Sequence, residues 1–251
     1  MSPVLQVGDR ILTATEVLPL LAEYQLLPQL VKEIVINQAI AEIECTQQEM
    51  KLACQQLAQQ YKLTSDATFQ LWLQQNNMSA KQFEALAVRQ LKLEKFKQIN
   101  WGKDLDAYFV QRKPLLDRVV YSLISTSDIG IAQELYFRIL EGEQTFTQMA
   151  REYAQGPEKE TDGLVGPVEL QALHPILAKL LLASQPQQLL PPTQVGDWIV
   201  IVRLEKLVPA KLESSMHQRL LNERFHQWLQ MQISAQNWQI HQSEMVAVAH
   251  R

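Results

Sequence analysis

Apolar side chains recur at helical spacing through most of the chain between residues 13 and 113. Within the segment 79–99, Phe83, Leu86 and Phe96 return to one side of a helix with about 3.6 residues per turn. The other predicted helices in this part of the chain span 28–43, 46–61 and 65–76. The pattern therefore predicts a helical N-terminal domain.

Side chains that can satisfy free backbone N–H groups mark two of these helix starts. Thr46 with Glu49, and Ser79 with Gln82, each have the spacing of a capping box. In the helix 28–43 the run from Ile34 to Ile36 leaves no polar face, which predicts a central, buried helix.

The pattern changes after Pro114, where β-branched residues begin to dominate. The predicted elements that follow are a strand at 117–126, helices at 128–142 and 145–154, a glycine-bearing loop, a leucine-rich helix around "LHPILAKLLLA", a proline turn "LLPPTQVGD" and a strand at 198–208. This order predicts a small α+β domain whose sheet is covered by helices. A last helix, roughly 213–235, has Leu221, Phe225 and Trp228 on one face and needs a partner surface.

Glycines are concentrated in one short stretch of a glycine-poor chain. Only 8 of the 251 residues are glycine, yet Gly156, Gly163 and Gly166 lie close together. A tight turn or a close backbone approach would explain this, because a Cβ atom there would cause strain or a clash.

Composition excludes several classes of protein. The formal net charge of −4 offers no basic surface for nucleic acid. Cys45 and Cys54 match neither a disulfide framework nor a zinc spacing, and His217 and His226 lie on opposite faces of one helix. No cofactor or metal is therefore predicted. The sequence has no recognisable signal peptide and no apolar run of membrane-spanning length, so a cytoplasmic location is expected.

The stretch "FTQMAREYAQGPEKETDGLVG", followed by "LHPIL" and "TQVGDWIVI", resembles the ordered motifs of the parvulin-type peptidyl-prolyl isomerases. The matching positions are Phe146, Met149, Ala150, Gly163, Val165, Gly166, Leu173, Pro175, Leu177, Thr193, Val195 and Gly196. The helical regions resemble the SurA and PrsA foldases in layout.

The resemblance implies a substrate pocket and a set of polar positions. The implied substrate-binding residues are Val165, Leu173, Leu177, Leu182 and Thr193. The family carries histidine at two catalytic positions, which here hold Ser122 (or Tyr121 if the register differs by one residue) and Trp198. A third position, which is Asp or Cys in active members, is Gly156. These changes predict weak or lost catalysis.

The predicted fold is α+β and mostly helical. Its predicted parts are a SurA-like helical domain at 1–115, a parvulin-like domain with a short antiparallel sheet at 116–209, a C-terminal helix at 210–240 that packs on the helical domain, and a flexible tail at 241–251. The predicted function is isomerase or foldase binding of unfolded or proline-containing polypeptide. The alternative is a non-catalytic chaperone or adaptor, for which a secretion-system protein is a candidate partner.

Overall fold

The computed structural model describes residues 3–236 and residue 238. The chain divides into two compact units, one formed by Met1–Lys103 with Gln218–Arg251 and the other by Asp104–His217. The domain boundaries at 115 and 209 stay a prediction. The predicted tail at 241–251 lies outside the described residues. No helix in the described part of the chain is long and apolar enough to cross a membrane.

The first unit is helical apart from an N-terminal β-hairpin. Strands β1 (Pro3–Val7) and β2 (Arg10–Thr13) pair antiparallel. The helices are α1 (Ala14–Glu23), α2 (Leu27–Ala39), α3 (Gln47–Gln60), α4 (Asp66–Gln75), α5 (Ala80–Lys97) and, from Gln218 onward, α10 (Ser214–Ala235). Both predicted capping boxes are confirmed, at the start of α3 and at the start of α5.

Helix α2 is not buried on every side. Val35 and Ile36 are buried, but Ile34 is 45% exposed, so the prediction of a fully buried helix was wrong. Successive residues of a helix point about 100° apart, and a helix that packs on one side only leaves one of three consecutive apolar residues in solvent.

The core of the first unit includes an aromatic cluster where α10 meets α2 and α5. Phe225 and Trp228 lie beside Phe96, with ring centroids 6.4 and 5.0 Å from the Phe96 ring. Trp101 completes the cluster, with its centroid 5.7 Å from that of Phe96. The buried Val35 and Ile36 of α2 pack against the same group. The apolar face of α10 therefore has its partner within this unit.

The capping residue Glu49 makes a second contact that shifts its titration. Its carboxylate accepts hydrogen bonds from Lys95 Nζ at 2.9 and 3.0 Å and from the Thr46 backbone N–H at 2.8 Å. The Lys95 contact first, and the Thr46 contact second, lower the pKa of Glu49 to about 2.

We expect Lys95→Met to raise the pKa of Glu49 towards its ordinary value, because the largest cause of the shift is removed. The pKa is read from the carboxyl carbon in an NMR titration. The folded-state pKa is depressed, so its contribution to stability is present above pH 4.5 and is lost as the pH falls towards 2. Lys92→Met is the control, since Lys92 contacts the Ala41 carbonyl instead; equal pKa values in both variants would contradict the prediction.

The second unit holds a four-stranded antiparallel sheet with strand order β4-β3-β6-β5. Its strands are β3 (Arg118–Thr126), β4 (Leu164–Glu169), β5 (Leu189–Val195) and β6 (Trp198–Val208). Its helices are α6 (Leu105–Leu116), α7 (Ile129–Leu140), α8 (Phe146–Tyr153) and α9 (Pro175–Leu182). The predicted α+β, mostly helical fold class with a short antiparallel sheet is confirmed.

Two strands appear where the sequence suggested a loop and a turn. Strand β4 contains Gly166 and Pro167, and strand β5 contains Pro191 and Pro192. Both are edge strands, where a missing backbone N–H is tolerated because one side of the strand has no partner. The pairing register of β5 shifts between Leu190 and Thr193, around the two prolines.

The two faces of this sheet are covered by different helices. We call them the α9 face and the α8 face. The α9 face carries Tyr121, Leu123, Val200, Val202 and Leu204, which pack with Leu177, Ala178 and Leu181 of α9. The α8 face carries Ile124 and Ile201, which pack with Leu135 of α7 and with Phe146, Met149 and Ala150 of α8.

Candidate functional site

The loop between α8 and β4 is tied to strand β3 by backbone hydrogen bonds. The Gln155 N–H donates to the Ser125 carbonyl at 2.9 Å, and the Leu123 N–H donates to the Gly163 carbonyl at 2.8 Å. The Gly163 N–H in turn donates to the carbonyl of Glu158 at 2.8 Å. These bonds hold the loop against the strand that carries the candidate site.

Two of the clustered glycines are required by close backbone approach. A Cβ atom on Gly163 would lie 2.7 Å from the Ala150 Cβ and 3.0 Å from the Leu123 carbonyl oxygen. A Cβ atom on Gly166 would lie 2.5 Å from the Val119 carbonyl oxygen. Both residues have positive φ angles, +84° and +113°, which only glycine adopts readily. Their role is to let the loop and β4 approach β3.

The structure brings three of the five predicted substrate-binding residues into one cluster. Val165 lies directly opposite Tyr121 in the β3–β4 pair, and Leu173 and Leu177 pack in the same α9-face cluster. Thr193 pairs with Val200, and directly opposed residues of an antiparallel pair share a face, so Thr193 also lies on the α9 face.

Leu182 is not brought to this cluster. It stands at the end of α9 with 45% of its surface exposed, whereas the preceding residue, Leu181, is buried in the core. One residue along a helix turns the side chain by about 100°, which is enough to carry it from the core to solvent.

Ser122, the first predicted polar position, lies on the α8 face. It alternates with Tyr121 and shares its side of β3 with the core residue Ile124. Its hydroxyl donates to Glu205 Oε1, which also accepts from Arg203 Nε at 2.8 Å. Tyr121, and not Ser122, therefore shares a face with Val165.

The Ser122 contact belongs to a separate polar group around Glu205. Burial raises the pKa of this carboxyl, but hydrogen bonds from Ser122, Arg203 and Gln187 outweigh the burial and leave its pKa below the ordinary value. The Arg203 guanidinium lies 5.2 Å from the centre of the Phe146 ring, which belongs to the α8-face core. Ser122 thus has a structural partner of its own.

The other two predicted polar positions lie near the edge of the α9 face. Trp198, the first residue of β6, shares its side of the strand with Val200 and is 41% exposed. Gly156 has little room for a side chain, because a Cβ atom would meet Glu158 Oε2 and would lie 2.7 Å from Ser125 Oγ. The carboxylate of Glu158 therefore fills the space beside Gly156.

Sequence reasoning did not single out Glu158, and it named Tyr121 only as an alternative. Glu158 is 5% exposed, and its Oε1 accepts hydrogen bonds from the Ser125 hydroxyl and, at 2.9 Å, from the Ser125 backbone N–H. Tyr121 is 3% exposed, and burial together with the nearby Glu158 carboxylate raises the pKa of its phenol. A glutamate in an acid-rich loop has the sequence pattern of solvated surface, so no local signal marks its burial.

The described polar groups of the site can form hydrogen bonds but do not form a set of metal ligands. Among the residues that the structure describes, no three His, Cys, Asp or Glu side chains come together as metal ligands would. The α9 face has an apolar cluster of Val165, Leu173 and Leu177. The hydrogen-bonded Ser125 hydroxyl and Glu158 carboxylate lie on the same side of the sheet.

The second unit thus combines a four-stranded antiparallel sheet with helices on both of its faces. Residues 127–206 match the family described as Rotamase, the PPIC-type PPIASE domain. The chain therefore carries a parvulin-type domain in this region, as the motifs predicted. No curated protein matches the chain.

Solved structures extend the likeness beyond that domain. The peptidylprolyl isomerase PrsA from Bacillus cereus is 17% identical, with a TM-score of 0.50, over 97% of this chain and 95% of that one. PrsA from Bacillus anthracis is 18% identical, with a TM-score of 0.49, over 84% of this chain and 99% of that one. The parvulin domain of PpiD from E. coli is 22% identical, with a TM-score of 0.34, over 39% of this chain and 95% of that one. At these identities the B. cereus comparison establishes a shared fold.

Proposed function

We propose that this protein is a foldase that binds proline-containing segments of unfolded polypeptides on the α9 face and accelerates rotation about the X–Pro bond. The observation that carries the proposal is the convergence of Val165, Leu173 and Leu177 on one face of a domain that matches the PPIC-type family. The three side chains come from β4, from the segment after it and from α9.

Isomerisation of an X–Pro bond requires little more than an apolar binding site of this kind. The barrier to rotation about a peptide bond is about 18–20 kcal/mol, and X–Pro bonds isomerise unaided in tens to hundreds of seconds. No bond forms or breaks, so no nucleophile is needed. An apolar surface that holds the proline ring and groups that bind the twisted amide more tightly than the planar one are sufficient.

Exchange spectroscopy on blocked X-Pro tetrapeptides tests the proposal. We expect the full-length protein to raise the cis–trans exchange rate, and Leu173→Asp to lower that effect at least about 10-fold, because covering a carboxylate with an apolar ring costs its desolvation free energy. Leu140→Asp is the control, since Leu140 is an exposed residue of α7, which covers the α8 face. Circular dichroism verifies that both variants fold. If the wild-type protein accelerates the exchange and the two variants lose activity equally, or lose none, the α9 face is not the catalytic site.

One observation favours binding without catalysis as the alternative. The three positions at which the family carries histidine, histidine and Asp or Cys hold Ser122 or Tyr121, Trp198 and Gly156, and none of these is a histidine, an aspartate or a cysteine. Under this alternative the tetrapeptides still bind and Leu173→Asp still weakens binding, but the wild-type protein leaves the exchange rate unchanged.

A further inference from the structure

Tyr121 is a buried residue whose hydroxyl has no hydrogen-bond partner among the residues that the structure describes. Its side chain packs in the α9-face core, yet its hydroxyl makes no hydrogen bond within the described chain, and the oxygen is not sealed from solvent. Buried tyrosines ordinarily find a partner for the O–H group. The hydroxyl of Tyr121 is thus available to a molecule that lies on this face.

Glu158 also has a polar atom without a hydrogen-bond partner among the described residues, because only one of its two carboxylate oxygens is used. Oε1 accepts both hydrogen bonds from Ser125, whereas Oε2 has no donor among the described residues and also reaches solvent. A carboxylate can accept at both oxygens, so half of its capacity is unused. The Ser125 contacts fix the orientation of the group and leave Oε2 beside Gly156.

The two groups lie on the same face and close to each other. Tyr121, Leu123 and Ser125 alternate along β3 and therefore point to one side, and Glu158 is held by Ser125. Burial is the larger cause of the raised pKa of Tyr121, and the Glu158 carboxylate is near enough to contribute to it. Val165 of the apolar cluster lies directly across from Tyr121.

We propose that the Tyr121 hydroxyl and the Glu158 Oε2 atom are the polar groups that contact the bound peptide. This inference rests on the proposed function of the α9 face. Tyr121 donates a hydrogen bond to the imide group of the X–Pro bond, and Glu158 accepts one from a backbone N–H of the same peptide. When the bond twists, resonance is lost and the prolyl nitrogen regains its lone pair, so a donor at that place favours the twisted state.

Two conservative variants of the full-length protein test the assignment. Tyr121→Phe removes only the hydroxyl, and Glu158→Gln keeps an oxygen for the Ser125 contacts while changing the second oxygen into a donor. The matched controls are Tyr136→Phe on α7, which packs against the α8-face core, and Glu160→Gln, an exposed residue two positions from Glu158. The probe is a blocked Ala-Ala-Pro-Phe tetrapeptide.

We expect each of the two test variants to weaken peptide binding, or to lower the catalysed exchange rate, about 10-fold, as for the loss of one good hydrogen bond. The thermal midpoint of Tyr121→Phe should stay unchanged, because the folded protein loses no internal hydrogen bond. This readout separates a substrate contact from a structural role, in which the midpoint would fall.

The outcomes separate the inference from the function on which it rests. If the wild-type protein binds the tetrapeptide and all four variants behave alike, Tyr121 and Glu158 are not the contacts, while the proposed function of the α9 face is not contradicted. If the wild-type protein neither binds the tetrapeptide nor accelerates its exchange, the proposed function fails and the assignment fails with it.

Discussion

Replacing Gly166 with alanine is expected to destabilise the 104–217 unit by about 3 kcal/mol, through a combination of backbone strain and a direct clash. The residue has φ +113°, and the new Cβ atom would lie 2.5 Å from the Val119 carbonyl oxygen and 3.1 Å from the Val120 Cα. Both obstacles are backbone atoms of β3, so no side chain can rotate away to relieve the contact. Strands β3 and β4 would have to separate.

Gly196→Ala is the matched control for this variant. Gly196 also has a positive φ, +63°, but nothing lies within 4 Å of the position of its Cβ atom. We expect its cost to be only that of the left-handed conformation, about 1 kcal/mol. Urea unfolding followed by circular dichroism measures both values. If the two variants lost the same stability, the close approach of β4 to β3 would not be the reason for glycine at 166.

Replacing Phe225 with alanine is expected to cost about 3–5 kcal/mol in the helical unit. The ring is buried, and it lies beside Phe96 and Trp101, with centroid distances of 6.4 and 6.3 Å. It also stacks on Trp228 of the same helix at 5.7 Å. Truncation would leave a cavity that rigid aromatic neighbours fill poorly.

Met231→Ala is the control for Phe225→Ala, because Met231 lies on the same helix with its side chain in solvent. Tryptophan fluorescence during denaturant unfolding reports the helical unit, since Trp101 and Trp228 belong to the affected cluster. We expect a change below about 0.5 kcal/mol for Met231→Ala. A small loss for both variants would mean that α10 does not depend on this core.

Helix positions were predictable from the sequence because their signals are local. The predicted helices at 46–61, 65–76 and 79–99 are observed as Gln47–Gln60, Asp66–Gln75 and Ala80–Lys97. A capping side chain and its partner lie three residues apart in sequence, so a short window contains the whole interaction. The strand at 198–208 was likewise predicted with its observed bounds, from a run of β-branched and apolar residues.

Edge strands were harder to predict because their pairing is not local. Strand β4 pairs with β3 more than 40 positions away, and the glycine and proline residues of β4 and β5 suggest turns when they are considered alone. The hairpin of β1 and β2 is also hard to predict, because its two short strands contain too few residues to show a clear alternation of apolar and polar side chains.

The sequence by itself determined the positions of most helices, because these follow from residue type and spacing along the chain. The class of domain and the apolar residues Val165, Leu173 and Leu177 were implied by the resemblance of its motifs to the parvulin-type family. Tertiary structure decided which polar groups stand beside that cluster. Alternation along a strand has a period of two, so a one-residue change of register exchanges Ser122 for Tyr121 on the α9 face. Glu158 reached the same place only because its loop folds back onto β3, where Ser125 binds its carboxylate and the missing side chain of Gly156 leaves it room.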